Sequence, residues 1–340
     1  MVKLMEHVFK AWLIFLIASL ALADEQSDPC PKLSSSSPCR CKTQYDSYGE
    51  GTEVQCSNIN SKDTLYEELQ KFRGYPIDNL KLNNLRVPFL PAGLSIGLSV
   101  KSLSIVNGFV GNLYSPKDAT PSPLEGLEDS LREVHIINTM DVNKWLWPDV
   151  KKFKKLRKIS VTNSPFDFVG HTFAEIGEGS LESISVRNSR VYRIHPQAFP
   201  ELTNLFHADF EGNNLPYLVR TMFPNPAPKL EILNFRHNRL FTLNENMFEN
   251  MPALKFLDFS RNDFKKFESV PFSPLWNQLE FLFLSENPFN CDCSLAPLKN
   301  RLTSNNLPKS NDFKSITCMN HGALRKTKLA ELDTSSLQCY

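Results

Sequence analysis

The sequence lacks a large net charge of either sign, because 38 basic and 37 acidic side chains leave only +1 at neutral pH. Phosphate binding needs a positive excess on the surface, so this balance argues against a nucleic-acid-binding protein. The sequence also lacks a glycine-rich nucleotide loop, H-E-x-x-H and G-x-S-x-G, and its seven histidines follow no metal-ligand spacing. We therefore predict no catalytic residue, no metal site and no cofactor, as in a protein that is not an enzyme.

Long hydrophobic runs are absent beyond the N-terminus, where residues 11–23 form an apolar run. This run is too short to cross a bilayer as a helix. It follows Lys3 and Lys10 and ends in Ala21-Leu22-Ala23, a small-x-small cleavage site. The pattern is typical of a signal peptide at residues 1–23. We therefore predict a secreted, extracellular protein without membrane insertion, and the lack of any Asn-x-Ser/Thr sequon predicts no N-glycans.

Cysteine is absent from residues 57–290, although the chain has eight cysteines. They form one cluster of four at each end of the predicted mature chain: Cys30, Cys39, Cys41 and Cys56, then Cys291, Cys293, Cys318 and Cys339. An even count in an exported chain predicts disulfides, with three connectivities open in each cluster. Zinc is the weaker alternative because no C-x-x-C pair is present.

A period of about 25 residues fills the cysteine-free segment. Leu230, Leu233, Phe235, Asn238 and Leu240 fit the pattern L-x-x-L-x-L-x-x-N-x-L. The pattern recurs, in part degenerate, from residues 77, 100, 131, 156, 181, 205, 230, 254 and 279. The expected Asn at the ninth position is replaced in four early repeats by Gly108, Thr139, Ser164 and Ser189. Because these side chains satisfy fewer backbone groups than Asn, we predict a looser N-terminal half.

These residues resemble the leucine-rich repeats of extracellular proteins. The resemblance implies an α/β solenoid, a horseshoe with one short parallel strand in each of about nine repeats. The predicted domains are an N-terminal cysteine cap at residues 24–57, the repeat solenoid at 58–290 and a C-terminal cysteine cap at 291–340.

Both cysteine clusters are similar to the caps of such proteins, which cover the ends of the solenoid core. The segment from Asn287 to Leu295 resembles the opening of the C-terminal cap, and the spacing from Cys30 to Cys56 resembles the N-terminal cap. The resemblance implies first-to-third and second-to-fourth pairing. The implied disulfides are Cys30–Cys41, Cys39–Cys56, Cys291–Cys318 and Cys293–Cys339.

The N-terminal third carries a second resemblance, in Cys30-Pro31, Pro38-Cys39-Arg40-Cys41 and the segment from Val54 to Ile59. It is similar to arthropod secreted proteins of the type named non-catalytic subunit of Oplophorus-luciferin 2-monooxygenase. That family contributes no catalytic residue. It implies a structural or stabilising subunit of an extracellular complex.

The third, fifth, seventh and eighth positions of each repeat are predicted to project from the concave side of the sheet, opposite the core leucines. An apolar ridge occupies consecutive repeats there and consists of Ile232, Phe256, Phe281 and Phe283. Exposed aromatic residues in a row favour a partner contact. The alternative is that the C-terminal cap, or an inward shift of the last strands, covers them.

Two polar sets share this face. A mixed-sign set is predicted to surround the apolar ridge and consists of Arg187, Asp209, Arg236, His237, Asp258 and Arg261. A column of asparagines fills the eighth position at Asn84, Asn107, Asn138, Asn163 and Asn188. The column either satisfies the local turn in place of the missing ninth-position Asn or forms a stripe that binds a polar ligand.

Without catalytic chemistry, function is expected on a surface. The leading hypothesis is a secreted, non-enzymatic protein that binds an extracellular protein partner through its concave face. The alternative is a non-catalytic subunit of an extracellular complex, of the luciferase-associated type.

Overall fold

The computed structural model describes residues 29–46, 49–113, 120–145, 152–171, 173, 180–319, 326–337 and 339. The predicted signal peptide at residues 1–23 lies outside these residues.

Twelve strands of the described chain form one sheet. In spatial order they are β1 (Cys39–Asp46), β2 (Gly49–Ser57), β3 (Pro76–Asn83), β5 (Ser99–Val106), β7 (Glu133–Ile137), β8 (Lys158–Thr162), β10 (Ser183–Arg187), β12 (His207–Asp209), β13 (Ile232–Asn234), β14 (Phe256–Asp258), β15 (Phe281–Phe283) and β16 (Ser310–Asn311). Two small sheets pair β4 (Arg86–Phe89) with β6 (Phe109–Asn112), and β9 (Phe168–Val169) with β11 (Arg193–Ile194).

Helices are short and few among the described residues. The α-helices are α1 (Lys62–Gln70) and α2 (Ala296–Thr303). The 3-10 helices are Val142–Lys144, Arg220–Met222, Ser273–Leu275, Cys293–Leu295, Phe313–Ser315, Leu329–Glu331 and Thr334–Leu337. The Ser61 hydroxyl caps α1 by accepting the N–H of Thr64, which satisfies a donor that the first helical turn leaves unpaired.

The main sheet is parallel except for the β1–β2 pair. Its register joins equivalent repeat positions, so that Leu233 pairs with Leu257 and Leu257 with Leu282. All three leucines are fully buried. Because successive strand residues point to opposite faces, the third and fifth positions lie on the other side, which we call the open face.

Each strand is followed by a turn with a repeated backbone geometry. The residue at the eighth position has a positive φ, for example 50° at Asn188, 54° at His237 and 57° at Arg261. Its N–H donates to the seventh-position carbonyl of the next repeat, as from His237 to Ser260 at 2.9 Å. The left-handed turn therefore continues the hydrogen-bond ladder between repeats beyond the strand ends.

Phenylalanine fills the core behind the sheet. Phe210, Phe235 and Phe259 stack at the sixth position with ring centroids 5.7 and 5.9 Å apart and planes 10° and 6° apart. A second set packs on the return path, where Phe199 contacts Phe223 at 6.0 Å and Phe248 contacts Phe272 at 5.5 Å. These rings supply much of the apolar burial that holds neighbouring repeats together.

Disulfides lie at both ends of the sheet. They join Cys30 to Cys41, Cys39 to Cys56, Cys291 to Cys318 and Cys293 to Cys339, the pairs that the cap resemblance implies. Strand β2, within the segment assigned to the N-terminal cap, pairs in parallel with β3 and aligns Val54 with Leu80. The sheet therefore continues from the repeats into the N-terminal cysteine-rich segment.

Candidate functional site

The apolar ridge lies on the open face, where strands β13, β14 and β15 bring its members side by side. Ile232 pairs with Phe256, and Phe256 with Phe281. The Phe256 ring lies 5.7 Å from the rings of both Phe281 and Phe283. Phe281 is 37% exposed, whereas the other three are half-buried. The ridge is thus one contiguous apolar patch.

The C-terminal cap adjoins the ridge without burying it. Ser310 of β16 pairs with Phe281, so the cap continues the row with a polar residue. Phe281, the ridge residue next to this strand, keeps more than a third of its surface accessible. The cap therefore forms a border of the patch.

A charge network lies beside the ridge, on strands β10, β12 and β14 and just beyond the ends of β12 and β13. It consists of Arg187, Asp209, Glu211, Arg236 and Asp258. Arg187 pairs with Asp209 at 3.2 Å and with Glu211. Arg236 lies 3.7 Å from Glu211 and 4.0 Å from Asp258. Because each guanidinium faces two carboxylates across neighbouring strands, the network is largely neutralised internally.

Burial shifts the pKa values of two carboxylates of the network and of the neighbouring His207. It raises the pKa of Asp209 above its ordinary value, although the Glu211 N–H and the Arg187 charge oppose it. It raises the pKa of Asp258 as well, against hydrogen bonds from the Ser260 hydroxyl and N–H at 2.6 and 2.8 Å. Burial also lowers the pKa of His207, which lies 4.0 Å from Asp209. Asp209 and Asp258 have therefore lost part of their hydration, which disfavours their ionised form.

Two residues predicted to join this set lie apart from it. His237 and Arg261 occupy the eighth position, in the left-handed turns at the edge of the open face. Arg261 pairs there with Glu286 at 2.8 Å. The predicted site residues thus divide into the ridge, the charge network and this turn edge.

Sequence reasoning missed several polar members of the site. Ser260 accepts from Arg236 at 3.1 Å and donates to Asp258. The Ser183 hydroxyl lies 3.1 Å from His207 Nδ1. The two-residue period of the strands could have found both, because it puts Ser260 at the seventh and Ser183 at the third position.

The asparagine column has a backbone explanation. Asn84, Asn107, Asn138, Asn163 and Asn188 all have φ between 49° and 55°, a left-handed conformation that Asn adopts more readily than most residues. Their amides also bond across repeats, from Asn84 to Asn58 at 2.8 Å and from Asn138 to Asn107 at 3.1 Å. The left-handed turn thus accounts for Asn at this position, and one side-chain bond, from Asn138 to Asn107, joins two members of the column.

The substitutes at the ninth position bond in their own way. Thr139 donates to the carbonyls of Ile105 and Ile137, and its N–H donates to the Ser164 hydroxyl. The Ser164 N–H donates in turn to Ser189 at 3.4 Å. A chain of hydroxyls therefore connects the early repeats where amides connect the later ones.

Two general features bear on the chemistry of the surface. Among the described residues, no three His, Cys, Asp or Glu side chains are grouped so that they could hold a metal ion. Within the same residues, no helix is both long enough and apolar enough to cross a membrane.

Comparison with known proteins supports the repeat assignment. Residues 228–289 match the family described as leucine rich repeat. Two curated relatives, both called trophoblast glycoprotein, are each 27% identical to this chain. The Mus musculus protein aligns over 140 residues and the Macaca fascicularis protein over 139, in each case 41% of this chain. The alignment spans about a third of the length of each relative, 32%. The chain therefore carries leucine-rich repeats, at least over the matched residues 228–289.

Proposed function

We propose that this protein is an exported, non-enzymatic leucine-rich repeat protein whose open face is concave and binds an extracellular protein partner. The observation that carries the proposal is the apolar ridge, whose aromatic rings touch one another while Phe281 stays exposed. Leucine-rich repeat proteins generally bind other proteins, and four disulfides fit an oxidising extracellular compartment.

The ridge has the composition of a binding centre. Each large apolar side chain left in water forgoes about 1.5–3 kcal/mol that full burial would provide. A partner that covers the ridge recovers part of this free energy. The charge network beside it supplies a polar border, and its internal pairing favours a partner surface that is apolar at its centre.

A matched pair of substitutions tests the proposal. Phe256→Ser removes the ring that contacts both Phe281 and Phe283. Phe241→Ser makes the same change at a ring that is 58% exposed and follows the strand, outside the open face. Both variants and the unaltered chain are used to capture proteins from the native extracellular fluid, and affinity for the captured partner is then measured.

Phe256→Ser is expected to weaken partner binding about thirty-fold, the effect of losing a central aromatic anchor. Phe241→Ser is expected to leave binding unchanged, and both variants should melt close to the unaltered chain. A large fall in melting temperature with binding intact would show that Phe256 belongs to the core and would refute the proposal.

The subunit alternative predicts a different state in the native fluid. Size-exclusion chromatography with light scattering would show a partner at constant stoichiometry if the protein is a resident subunit of a complex. A free monomer that binds its partner reversibly supports the leading proposal.

A further inference from the structure

A groove runs along the edge of the sheet where β3, β5 and β7 end. It has a volume of about 450 Å³ and is lined by Asn84, Arg86, Asn107, Gly108, Phe109, Asn138 and Met140. We call it the amide groove. Its volume lies within the range of small-molecule sites, about 300–1,000 Å³. The groove shares no residue with the ridge or the charge network, so it is a separate surface.

Two rows of side chains border the groove. The first row consists of the eighth-position asparagines, which follow the ends of three neighbouring strands. The second row is at the tenth position, where Arg86 pairs with Phe109 in the small sheet of β4 and β6, and Phe109 forms a bridge with Met140. Polar amides therefore face the groove from one side, and a guanidinium, a ring and a thioether from the other.

Gly108 keeps the space between the two rows open. It lies at the buried ninth position, between Asn107 and Phe109. A Cβ atom at Gly108 would lie 3.1 Å from the carbonyl oxygen of Leu85, which is closer than ordinary van der Waals contact. The close approach of the two repeats thus favours glycine there, and no side chain fills the groove at its centre.

The amides of the first row keep hydrogen-bonding capacity. Asn138 donates through Nδ2 to Asn107 at 3.1 Å, Asn107 donates to Asn83 at 3.2 Å, and Asn84 donates to Asn58 at 2.8 Å. Each Nδ2 carries a second N–H. Within the described chain, no donor reaches Oδ1 of Asn84 or Asn138. Donors and acceptors therefore lie side by side, which suits hydroxyl groups because a hydroxyl both donates and accepts.

The second row supplies one charge and two apolar surfaces. Arg86 is exposed, and in the part of the chain that the structure describes its guanidinium has no ion-pair partner. Phe109 is 40% and Met140 62% exposed. Asp141 follows Met140 but does not line the groove. A planar guanidinium binds a carboxylate through two parallel hydrogen bonds, so the row favours a ligand that is acidic at one end and apolar beside it.

The backbone of the groove argues against an extended peptide as the ligand. The N–H groups of Asn84, Asn107 and Asn138 already donate to the carbonyls of the next repeats, at 2.8, 2.9 and 3.0 Å. A peptide that adds a strand needs unpaired backbone groups at a sheet edge. A sugar ring instead presents hydroxyls around its rim and C–H groups on its faces, which match side-chain amides and an aromatic ring.

We propose that the amide groove binds a carboxylated saccharide. Arg86 pairs with the carboxylate, the three asparagine amides bond to the hydroxyls, and Phe109 covers the apolar face of the sugar ring. The site lies outside the open-face ridge and goes beyond the protein-binding function proposed above.

The test measures affinity by calorimetry with the disulfide-bonded full chain. The probes are a hyaluronan tetrasaccharide and sialyllactose, which carry the carboxylate on a uronic and a sialic acid. Their neutral counterparts are the carboxyl-reduced tetrasaccharide and lactose, and tetraglutamate is the peptide comparison. The variants are Arg86→Gln and Phe109→Ser.

Matched controls make the same changes elsewhere. Arg239→Gln alters another exposed tenth-position arginine, whose N–H donates to the preceding repeat at 3.0 Å as that of Arg86 does at 2.9 Å. Phe241→Ser alters an exposed ring outside the groove. The melting temperature of each variant is measured in parallel. Because Arg86 is exposed, Arg86→Gln decides the outcome even where Phe109→Ser lowers stability.

We expect the unaltered chain and both controls to bind at least one acidic probe, and the probe that binds identifies the source of the carboxylate. Arg86→Gln and Phe109→Ser should each weaken this binding about ten-fold. The neutral counterpart should bind the unaltered chain about ten-fold more weakly, and Arg86→Gln should then cost nothing further, because the carboxylate that it pairs with is gone.

Four results would overturn the proposal: no binding of either acidic probe, equal affinity for the acidic and neutral sugars, equal losses in variants and controls, or tighter binding of tetraglutamate. Phe256→Ser should bind the sugar normally, so failure of the ridge proposal and failure of this one are distinguishable.

Discussion

At the scale of single residues, the ninth-position asparagine of each C-terminal repeat connects several backbone segments. Asn262 is 4% exposed and donates through Nδ2 to the carbonyls of Phe235 and Phe259, at 2.9 and 3.0 Å. Its Oδ1 accepts the Leu240 N–H at 3.0 Å. Ser189, the equivalent residue in the N-terminal half, donates to one carbonyl, that of Arg187.

Replacing Asn262 by Ser is therefore expected to lower the free energy of unfolding by about 1–3 kcal/mol, because buried carbonyls lose their donor. Asn262→Asp keeps the size and the acceptor but removes the donor and buries a charge, so its loss should be larger. Urea unfolding measures both. An Asn262→Ser variant as stable as the unaltered chain would contradict this role.

Asp78 connects three strands at the start of the repeats. Its carboxylate accepts the Thr52 N–H of β2 at 2.7 Å and pairs with Lys101 of β5 at 2.5 Å. Burial alone would raise the pKa of Asp78. The hydrogen bonds from Lys101 and Thr52, with the Lys101 charge, outweigh burial and hold the pKa below its ordinary value. The ionised form therefore stabilises the fold.

This sign predicts a pH dependence. The contribution of Asp78 is complete above the ordinary carboxyl pKa of about 4, and it is lost as the pH falls through the lower folded value. Asp78→Asn should cost about 1–2 kcal/mol at pH 7, and the difference from the unaltered chain should shrink below about pH 4. Asp263→Asn, at an exposed position, is the control and should change stability little. A cost that stays constant across this range would contradict the assignment.

At the scale of structural elements, the C-terminal cap completes a strand that has no following repeat. In earlier repeats the sixth-position N–H donates to the next strand, as from Phe259 to the Phe283 carbonyl at 2.9 Å. Strand β16 pairs with the last repeat but ends at Asn311, and beyond it the Asp312 side chain takes the place of the next strand's carbonyl. Its two carboxylate oxygens accept the N–H groups of Leu284 and Ser285 at 2.8 and 2.7 Å.

Asp312→Ala should leave these two donors without their acceptor and lower the stability of the last repeat by about 2–3 kcal/mol. Asp312→Asn retains one acceptor oxygen, so its stability should lie between that of the unaltered chain and that of Asp312→Ala. Hydrogen exchange at Leu284 and Ser285 reports the effect directly. Unchanged protection of these amides in Asp312→Ala would show that other groups complete the strand.

At the scale of the whole molecule, the two halves of the sheet are stabilised differently. The C-terminal half has ninth-position amides and the stack of Phe210, Phe235 and Phe259. The N-terminal half has Gly108 and a chain of hydroxyls at that position. Its strands are longer, but the ladder in the C-terminal half continues past the strand ends, as from Phe235 to the Asp258 carbonyl at 2.8 Å. Strand length therefore does not offset the weaker turns.

Hydrogen exchange should accordingly show that residues 100–160 open earlier than residues 230–285. The expected order follows from the fewer buried bonds at the early turns. Uniform protection along the sheet would contradict it. In the Asn262→Ser variant, which weakens one C-terminal turn, the difference in hydrogen-exchange protection between the two halves should become smaller.

The linear repeat pattern specifies the period, the positions of the repeat strands, the buried leucine positions and the cysteine clusters. These features depend on spacings within one repeat, which a linear pattern records directly. It also predicted that Ile232, Phe256, Phe281 and Phe283 share a face, because strand alternation is local.

The folded structure is needed to show which charges pair, that His237 and Arg261 lie apart from the ridge, and that Asp312 accepts two N–H groups of the last repeat. These outcomes depend on contacts between residues in different repeats, such as Asp312 and Leu284, which are 28 positions apart. A repeat pattern specifies each unit, whereas the packing of neighbouring units specifies the surface that they share.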